Sequence, residues 1–376
     1  MKALKTKNQN IILTLATCLL FSCQQPKANK QETKLWHNQQ RELRYKPDGK
    51  GFVITNGEKR FNRAIYGTNT GFRVEAGDLP EFALYMPRMG GTLRLGLIKG
   101  KESKWLIDAQ NIVARYEAGS MSYQIKDPML GNGKLTLNLL AMADADGFIL
   151  RIKDENIPRE TKLFWGFGGA SNKRFSREGD LGADPESVFY LNPKYCNSNE
   201  YFVSENSFNL YYGSGRPLSD NEIYENNYKP TPEEINATRL KAKKRLFGLV
   251  PQQSDIKISD ATHQESPLQF YRAEKKEAPA ITGTLKFNAK NNYFLILNPD
   301  TKKRPTYSDI PRLFEQAEMA REKIAGQFKI NTPDKYINAA GATLATAADA
   351  VWDGQSFMHG AVAWRMPLNG WRGAYA

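Results

Sequence analysis

The chain has 376 residues and a formal net charge of +13, with 53 lysine and arginine residues against 40 aspartate and glutamate residues. This excess of positive charge favours acidic partners, either polyanionic glycans or anionic lipids. The chain has three histidines and three cysteines. No histidines are paired at ligand spacing, which argues against a zinc or iron site built from this chain. The sequence predicts no cofactor.

The N-terminus has the pattern of a bacterial export signal. Three positive residues stand at its start, Lys2, Lys5 and Lys7. They precede an apolar run over residues 11–21, which is shorter than the ~20 residues that a membrane-spanning helix needs. The run closes on Leu20-Phe21-Ser22-Cys23, which resembles the lipobox of bacterial lipoproteins. We therefore expect a signal peptide over residues 1–22 and lipidation at Cys23, the alternative being an ordinary cysteine in an N-terminal helix.

Export and lipidation would determine the membrane and the compartment in which the protein is located. Residues 23–34 are polar and predict a short tether between the lipid and the folded chain. Gln24 and Gln25 follow Cys23 without an acidic cluster. This pattern favours a lipid anchor in the outer membrane that faces the periplasm over one at the cell surface. We expect membrane contact through the anchor and, because of export, no nucleic-acid partner.

Residues 35–305 have the pattern of a large antiparallel β domain. Apolar and polar residues alternate in TLRLGLI (92–98), KLTLNLLAM (134–142) and GFILRIK (147–153), and a period of two predicts half-buried strands. Turn-forming residues separate these segments, as hairpins require. Further strands are predicted over residues 162–167, 282–287 and 292–297. The length of the region favours two large stacked sheets.

Two long segments interrupt the strand pattern. Residues 168–188 are rich in glycine and aspartate and are longer than most connections, so they are a candidate functional loop. Residues 213–245 are polar and contain prolines. We expect this second segment to cover the surface, with a short helix from Pro232 to Arg245 whose basic run is typical of a solvated face.

After residue 305 the hydrophobic period becomes that of helices. A linker helix is predicted within residues 306–330, with Ser308 or Asp309 as its N-cap and Pro311 in its first turn. Its apolar stripe comprises Leu313, Ala317, Ala320, Ile324 and Phe328.

A second helix is predicted to start after Thr332, its cap, with Pro333 at its first position and an alanine-rich part from Tyr336 to Val351. It carries seven alanines, which favours close packing on more than one side. It is expected to end near Gly354, since glycine readily adopts the left-handed conformation that ends helices. Residues 331–376 are too few to bury this helix alone, so we expect them to begin a helical domain that this chain does not complete.

The order of these parts and three stretches of sequence resemble a known family. The stretches are NRAIYGTNTGFRVEAGDLPEFALYMP (62–87), GGASNKRFSREGDLGADPESVFYL (168–191) and WDGQSFMHGAVAWRMPLNGWRGAYA (352–376). They are similar to large exported Bacteroidetes proteins of the six-hairpin glycoside hydrolase type, whose N-terminal module is a domain of unknown function. Some proteins of this type are β-L-arabinofuranosidases that act on pectic side chains.

The resemblance covers most of residues 35–376 and implies a mainly β fold. That fold is an N-terminal β-supersandwich over residues 35–305, followed by a linker helix and the first helix of an (α/α)6 catalytic barrel. In this type of enzyme the catalytic acid comes from the middle of the barrel. It would then lie beyond Ala376, so we assign no catalytic residue in this chain.

Substrate-binding candidates lie in the last segment of the chain. They are Asp353, His359, Trp364, Arg365, Trp371 and Arg372. Indole rings pack on the C–H faces of sugars, and guanidinium groups donate paired hydrogen bonds to hydroxyls or a carboxylate. Asp353 could accept hydrogen bonds from sugar hydroxyls, and His359 could bind a hydroxyl at neutral pH. The structural alternatives are a loop-capping aspartate, a structural histidine and Trp–Arg stacking.

Charged residues of the β domain form a second group of candidates. They are Arg73, Glu75 and Asp78, together with Arg174, Arg177, Asp180 and Asp184 of the 168–188 loop. Either they reach the barrel mouth and shape the sugar pocket, or they form ion pairs that hold the loops to the sheet.

These observations predict the N-terminal portion of an exported glycoside hydrolase that acts on plant or host glycans, acidic ones included, and that is inactive alone. The alternative is a non-catalytic carbohydrate-binding lipoprotein whose β domain binds glycan. A polysaccharide lyase is disfavoured, because lyases with these two parts usually place the helical domain first.

Overall fold

The computed structural model describes residues 43–67, 69–86, 88–173, 186–213, 243–299, 304–360 and 367. The chain divides into two compact units, Met1–Arg44 and Tyr45–Ala376. Every helix and strand of the described residues belongs to the second unit.

The described residues form eighteen strands. In chain order they are β1 (Lys46–Asp48), β2 (Gly51–Thr55), β3 (Arg63–Ile65), β4 (Arg73–Ala76), β5 (Phe82–Tyr85), β6 (Met89–Lys99), β7 (Glu102–Trp105), β8 (Asn111–Glu117), β9 (Ser120–Lys126), β10 (Lys134–Ala141), β11 (Gly147–Glu155), β12 (Thr161–Gly168), β13 (Glu200–Ser204), β14 (Ser207–Tyr212), β15 (Lys244–Leu249), β16 (Asp255–Asp260), β17 (Pro279–Lys286) and β18 (Asn291–Leu297).

Within the described ranges these strands form two antiparallel sheets. The ten-stranded sheet has the order β1-β2-β8-β9-β10-β11-β18-β15-β14-β13. The eight-stranded sheet has the order β16-β17-β12-β6-β5-β4-β3, with β7 paired to β6. In the ten-stranded sheet β18 lies between β11 and β15, so distant parts of the chain become neighbours there.

The main core lies between the two sheets. The ring centroids of Trp165 and Phe294 are 5.6 Å apart in an edge-to-face arrangement, and those of Phe82 and Tyr123 are 5.8 Å apart. Gly283 is directly opposite Trp165, and a Cβ atom at Gly283 would lie 2.5 Å from the indole ring. The absence of a side chain at this position therefore lets the largest core residue lie flat on its neighbouring strand.

Four α-helices occur among the described residues. They are α1 (Pro193–Cys196), α2 (Pro267–Arg272), α3 (Ile310–Ala325) and α4 (Lys335–Ala350). Helix α2 covers the outer face of the eight-stranded sheet, where Phe270 packs against Phe164. Helix α3 covers part of the outer face of the ten-stranded sheet, where Phe314 packs against Tyr293. Helix α4 contacts α3, β1 and β2.

The predicted mainly β fold with two antiparallel sheets is confirmed, and the predicted strands are present. The expectation of half-buried strands is wrong for β6 and for the start of β11, where both faces are largely buried. The reason is that α2 and α3 cover the outer faces of the sheets, which the alternation of residues does not reveal. The domain boundaries and the assignment of α4 to an (α/α)6 barrel stay predictions.

Both predicted helices exist, but their starts differ from the expectation. A 3-10 turn over Tyr307–Asp309 precedes α3, and Thr306 and Asp309 form its capping box, so Asp309 does not cap α3 with its side chain. In α4 the cap is Asp334, whose carboxylate accepts hydrogen bonds from two backbone N–H groups. The predicted cap, Thr332, instead bonds to the side chain of Asn338.

The apolar residues of the helical segment are less buried than expected. Phe328 lies beyond the end of α3 and is 42% exposed. In α4 one face is buried against α3 and the sheet, while Ile337 and Leu344 on another face are 49% and 55% exposed. Among the described residues α3, β1 and β2 contact α4. Burial of α4 on a second side, by later helices of the domain, stays a prediction.

The segment over residues 213–245 was expected to contain a helix ending at Arg245. Residues 214–242 lie outside the described residues, but Lys244 and Arg245 belong to strand β15. Pairing with β14 accounts for this, since Arg245 lies directly opposite Tyr211. None of the helices in the described ranges combines the length and apolarity needed to cross a bilayer.

Candidate functional site

A cleft of about 1030 Å³ lies where two loops of the β domain meet helices α3 and α4. Carboxylates, amides, a hydroxyl and a guanidinium line it. These groups belong to Asn69, Thr70, Asp144, Asp146, Asn298, Asp309, Arg312, Gln316 and Asp349. Sites for small ligands are concave and occupy roughly 300–1,000 Å³, so the cleft is large enough for a ligand of several rings.

One wall of the cleft is a pair of loops held together by hydrogen bonds. The Thr70 hydroxyl donates to Asp146 Oδ1 over 2.6 Å, and the Asn298 N–H donates to the Asp146 carbonyl oxygen over 2.8 Å. A Cβ atom at Gly67 would lie 2.2 Å from the Met142 carbonyl oxygen, so glycine permits this close approach. Contacts within the protein therefore hold this wall in position without a ligand.

Helix α3 provides the opposite wall. Arg312 Nη1 donates to Gln316 Oε1 over 3.2 Å, and Arg312 Nη2 lies 3.6 Å from Asp309 Oδ1. Hydrogen bonds from the N–H and the hydroxyl of Thr306, with a further contribution from Arg312, lower the pKa of Asp309. Asp309 is therefore an ionised group already engaged in capping, and Arg312 and Gln316 present the donors on this side.

Asp349 lies in the last turn of α4 and completes the cleft. Burial raises the pKa of its carboxyl group. In the described part of the chain no hydrogen bond or ion pair reaches this carboxyl. A helix C-terminus also disfavours negative charge. Asp349 is thus a partly buried carboxyl that can both donate and accept hydrogen bonds over a wider pH range than an ordinary aspartate.

The two predicted substrate-binding residues that the structure describes lie in the loop after α4. Oδ1 of Asp353 accepts hydrogen bonds from the N–H groups of Gln355 and Ser356, so it holds the loop in shape. His359 is exposed and follows Met358, which is buried and pairs with Pro367. Neither residue lines the cleft. The sugar-binding roles of Asp353 and His359 stay predictions.

The remaining predicted residues, Trp364, Arg365, Trp371 and Arg372, lie outside the described residues, as does Cys23. The 168–188 loop is described only at its ends, so its charged residues fall there too. Among the described residues, no group of three His, Cys, Asp or Glu side chains could hold a metal ion.

The charged candidates Arg73, Glu75 and Asp78 of the β domain take part in ion pairs and hydrogen bonds. Arg73 forms an ion pair with Glu75 and stacks on Tyr85, with its Cζ atom 4.6 Å from the ring centroid. Asp78 is buried and accepts hydrogen bonds from the Tyr45 hydroxyl over 2.7 Å and from the Lys59 N–H over 3.1 Å. The contacts of Asp78 match the alternative in which these residues hold the loops of the β domain in place, whereas those of Arg73 and Glu75 lie within strands β4 and β5.

Sequence reasoning did not single out the cleft residues. Asn69 and Thr70 lie within the 62–87 stretch that carries the resemblance, and Asp144 and Asp146 lie in a turn interpreted only as a hairpin connection. Asp349 is one more polar residue in an alanine-rich helix. The signal that could have found them was the clustering of short polar side chains at strand and helix ends.

Comparisons with known proteins give a family and a structural likeness. A family model described as "Domain of unknown function (DUF4450)" matches residues 86–318. No curated protein matches the chain. A solved structure to which the chain is similar is a bacterial glucoamylase complexed with acarbose, at 11% identity and a TM-score of 0.45. The match covers 79% of this chain and 42% of the glucoamylase chain, so this chain spans about two fifths of that protein's length.

Proposed function

The chain belongs to the DUF4450 family, which is described as a domain of unknown function. From the cleft, we propose that the chain binds oligosaccharide as part of a glycoside hydrolase. The observation that carries the proposal is the set of polar groups that line the 1030 Å³ cleft, which ends at the Asp349 carboxyl, a group that no described residue bonds to.

The lining suits a ligand that is covered in hydroxyl groups. Each sugar hydroxyl is both a donor and an acceptor, and carboxyl, amide and guanidinium groups at fixed positions satisfy both roles. Arg312 and Gln316 offer donors from α3, while Asp146 faces them from a loop that Thr70 holds. Such preorganised polar groups fix the orientation of a ligand at little cost in side-chain entropy.

Asp349 is proposed to contact the sugar directly. Its raised pKa lets it stay protonated to higher pH than a solvated aspartate, so that it can donate a hydrogen bond to a sugar oxygen. Carboxyl groups kept protonated by their surroundings are also the groups that glycosidases use as acids. We assign Asp349 to binding and leave the catalytic acid unassigned.

The activity and the location of the whole protein are further parts of the proposal. Hydrolysis of a glycosidic bond, with α4 as the first helix of a catalytic barrel, is supported by the resemblance of the three sequence stretches. Export and lipidation at Cys23 are supported by the charged start, the apolar run and the lipobox pattern. Cys23→Ala should abolish the incorporation of labelled fatty acid, and a variant that still labels would remove the lipid anchor from the proposal.

Calorimetric titration with a panel of plant and host oligosaccharides tests binding. At least one neutral oligosaccharide should bind, and Asp349→Asn and Gln316→Ala should each weaken it by about fivefold to tenfold, the value of a net hydrogen bond or more. The matched control is Asp108→Asn, since Asp108 is exposed in a turn away from the cleft. Equal affinities for the cleft variants and the control would overturn the proposal. Release of reducing sugar would separate a hydrolase from a binding protein.

A further inference from the structure

A second surface with polar and aromatic side chains lies on strands β13, β14 and β15. Phe202 is 50% exposed, and its ring centroid lies 5.5 Å from that of Tyr211 in an edge-to-face arrangement. Arg245 is directly opposite Tyr211 in the register of β14 and β15. Arg304 places its guanidinium carbon 5.5 Å from the ring centroid of Phe247. These five residues form what we call the arginine–aromatic patch.

The strand residues of the patch share the outer face of the ten-stranded sheet. Alternate residues of a strand point to opposite faces. The residues next to them, Tyr201, Leu210 and Leu246, belong to the core between the sheets. Phe202, Tyr211 and Arg245 therefore point away from that core.

The patch continues into the cleft. Phe247 pairs with Leu297, which lines the cleft and is followed by Asn298. Pro305, which also lines the cleft, is the neighbour of Arg304 in sequence. Strands lie about 4.8 Å apart, so the β13 end of the patch is roughly three strand spacings, or about 14 Å, from the cleft edge at β18. A chain-like ligand could occupy both.

The two guanidinium groups of the patch are not neutralised within the described residues. No carboxylate there forms an ion pair with Arg245 or Arg304, whereas the neighbouring Lys243 donates to Glu200 Oε1 over 2.5 Å. An arginine beside an aromatic ring is pre-organised and weakly hydrated, so it is well suited to bind an anion. The patch therefore offers two positive charges next to apolar ring surface, with no ion-pair partner among the described residues.

We propose that the arginine–aromatic patch binds the carboxylate-bearing sugars of an acidic glycan whose chain continues into the cleft. This inference rests on the proposed function and names its substrate class, a uronate-containing oligosaccharide. Guanidinium groups bind carboxylates through two parallel hydrogen bonds, and the rings of Phe202 and Tyr211 offer apolar surface to the C–H faces of the same sugars. A polyphosphate would use the charges but not the rings. A single-stranded nucleic acid would use both, by stacking its bases on the rings, so the test below includes a short RNA.

The test compares one oligosaccharide in two forms by calorimetric titration. A uronate oligosaccharide is measured beside the same chain after its carboxylates have been reduced to alcohols. The wild-type chain should bind the uronate form about tenfold more tightly, because hydrogen bonds to charged groups are worth more than neutral ones. Arg245→Gln and Arg304→Gln should remove most of this preference. Arg272→Gln is the matched control, since Arg272 is exposed at the end of α2, away from the patch.

The outcomes distinguish a failure of the patch proposal from a failure of the cleft proposal. A preference for uronate that Arg245→Gln abolishes supports the patch, even if Asp349→Asn has no effect and the cleft proposal fails. Equal binding of the two forms, unchanged by Arg245→Gln and weakened by Asp349→Asn, overturns the patch and leaves the cleft proposal in place. Equally tight binding of dextran sulfate or a short RNA also overturns the inference, since it would show that any polyanion suffices.

Discussion

Two aspartates at the ends of secondary-structure elements have opposite surroundings. Asp260 ends β16, is 1% exposed, and accepts hydrogen bonds from the Thr262 N–H and hydroxyl and from the N–H groups of residues 276–278. Burial alone would raise the pKa of Asp260, but these hydrogen bonds lower it overall. Asp349 is buried in part, no described residue donates a hydrogen bond to its carboxyl, and its pKa is raised.

The difference distinguishes a folding group from a candidate binding group. The carboxylate of Asp260 is fully used inside the β domain, where it joins the two ends of the connection that carries α2 between β16 and β17. The carboxyl of Asp349 costs stability when it ionises and has nothing in the described structure to offset that cost. Groups left in this state at a cleft are candidates for contact with a ligand.

The largest effect is expected at Asp260. Asp260→Ala would leave several buried N–H groups without an acceptor, so the free energy of unfolding should fall by about 3 kcal/mol or more. Urea unfolding measures this change in the free energy of unfolding. Asp255→Ala is the matched control, because Asp255 lies on the same strand, is exposed, and accepts one hydrogen bond, from the Tyr271 hydroxyl. A loss of free energy of unfolding no larger than that of the control would show that the connection between β16 and β17 does not depend on Asp260.

The two carboxyls should also give opposite dependences on pH. The lowered pKa of Asp260 contributes stability that is present above the ordinary value of 3.8 and is lost as the pH falls below it. The raised pKa of Asp349 means that stability is lost as the pH rises from 3.8 through the folded-state pKa. Asp349→Asn should therefore stabilise the chain at neutral pH, by less than about 1 kcal/mol because the group is partly solvated.

Melting temperatures at pH 4 and pH 7 measure this second effect. The gain from Asp349→Asn should be larger at pH 7, while the same substitution weakens oligosaccharide binding. A variant that loses stability at neutral pH would show that Asp349 has a structural partner, and the contrast with Asp260 would disappear.

A smaller effect on stability is expected at the loop wall of the cleft. Thr70→Val keeps the shape of the side chain but removes the hydrogen bond to Asp146 and the one that the hydroxyl accepts from the Phe72 N–H. Thr70 is exposed and Asp146 is half-buried. The free energy of unfolding should change by no more than about 0.5 kcal/mol, whereas affinity for oligosaccharide should fall about fivefold. Thr343→Val on α4 is the control, since that hydroxyl bonds only to its own helix. Unchanged affinity of the Thr70→Val variant would show that the loop wall held by Thr70 does not contribute to oligosaccharide binding.

The fold was predictable from the sequence to a much greater extent than the cleft. Period-two alternation identified strands such as β10 and β11, and the apolar stripe identified α3, because both signals are local. The cleft combines residues 67, 69, 70, 142–146 and 349, which the pairing of β18 with β11 and the packing of α3 help bring together. Such long-range pairing leaves no local pattern. The cap of α4 was missed for a related reason, since Asp334 and Thr332 are both good caps and tertiary contacts decide between them.

The most direct measurement of the central claim is the hydrogen-exchange footprint of a bound neutral oligosaccharide on the wild-type chain. Protection should appear at residues 142–146, at the start of α3 and at the last turn of α4, and Asp349→Asn should reduce it at equal ligand concentration. The two ends of the connection between β16 and β17, which Asp260 joins, should be unaffected. Protection confined to residues outside the cleft, or none with any oligosaccharide of the panel, would contradict the proposal that this cleft binds sugar.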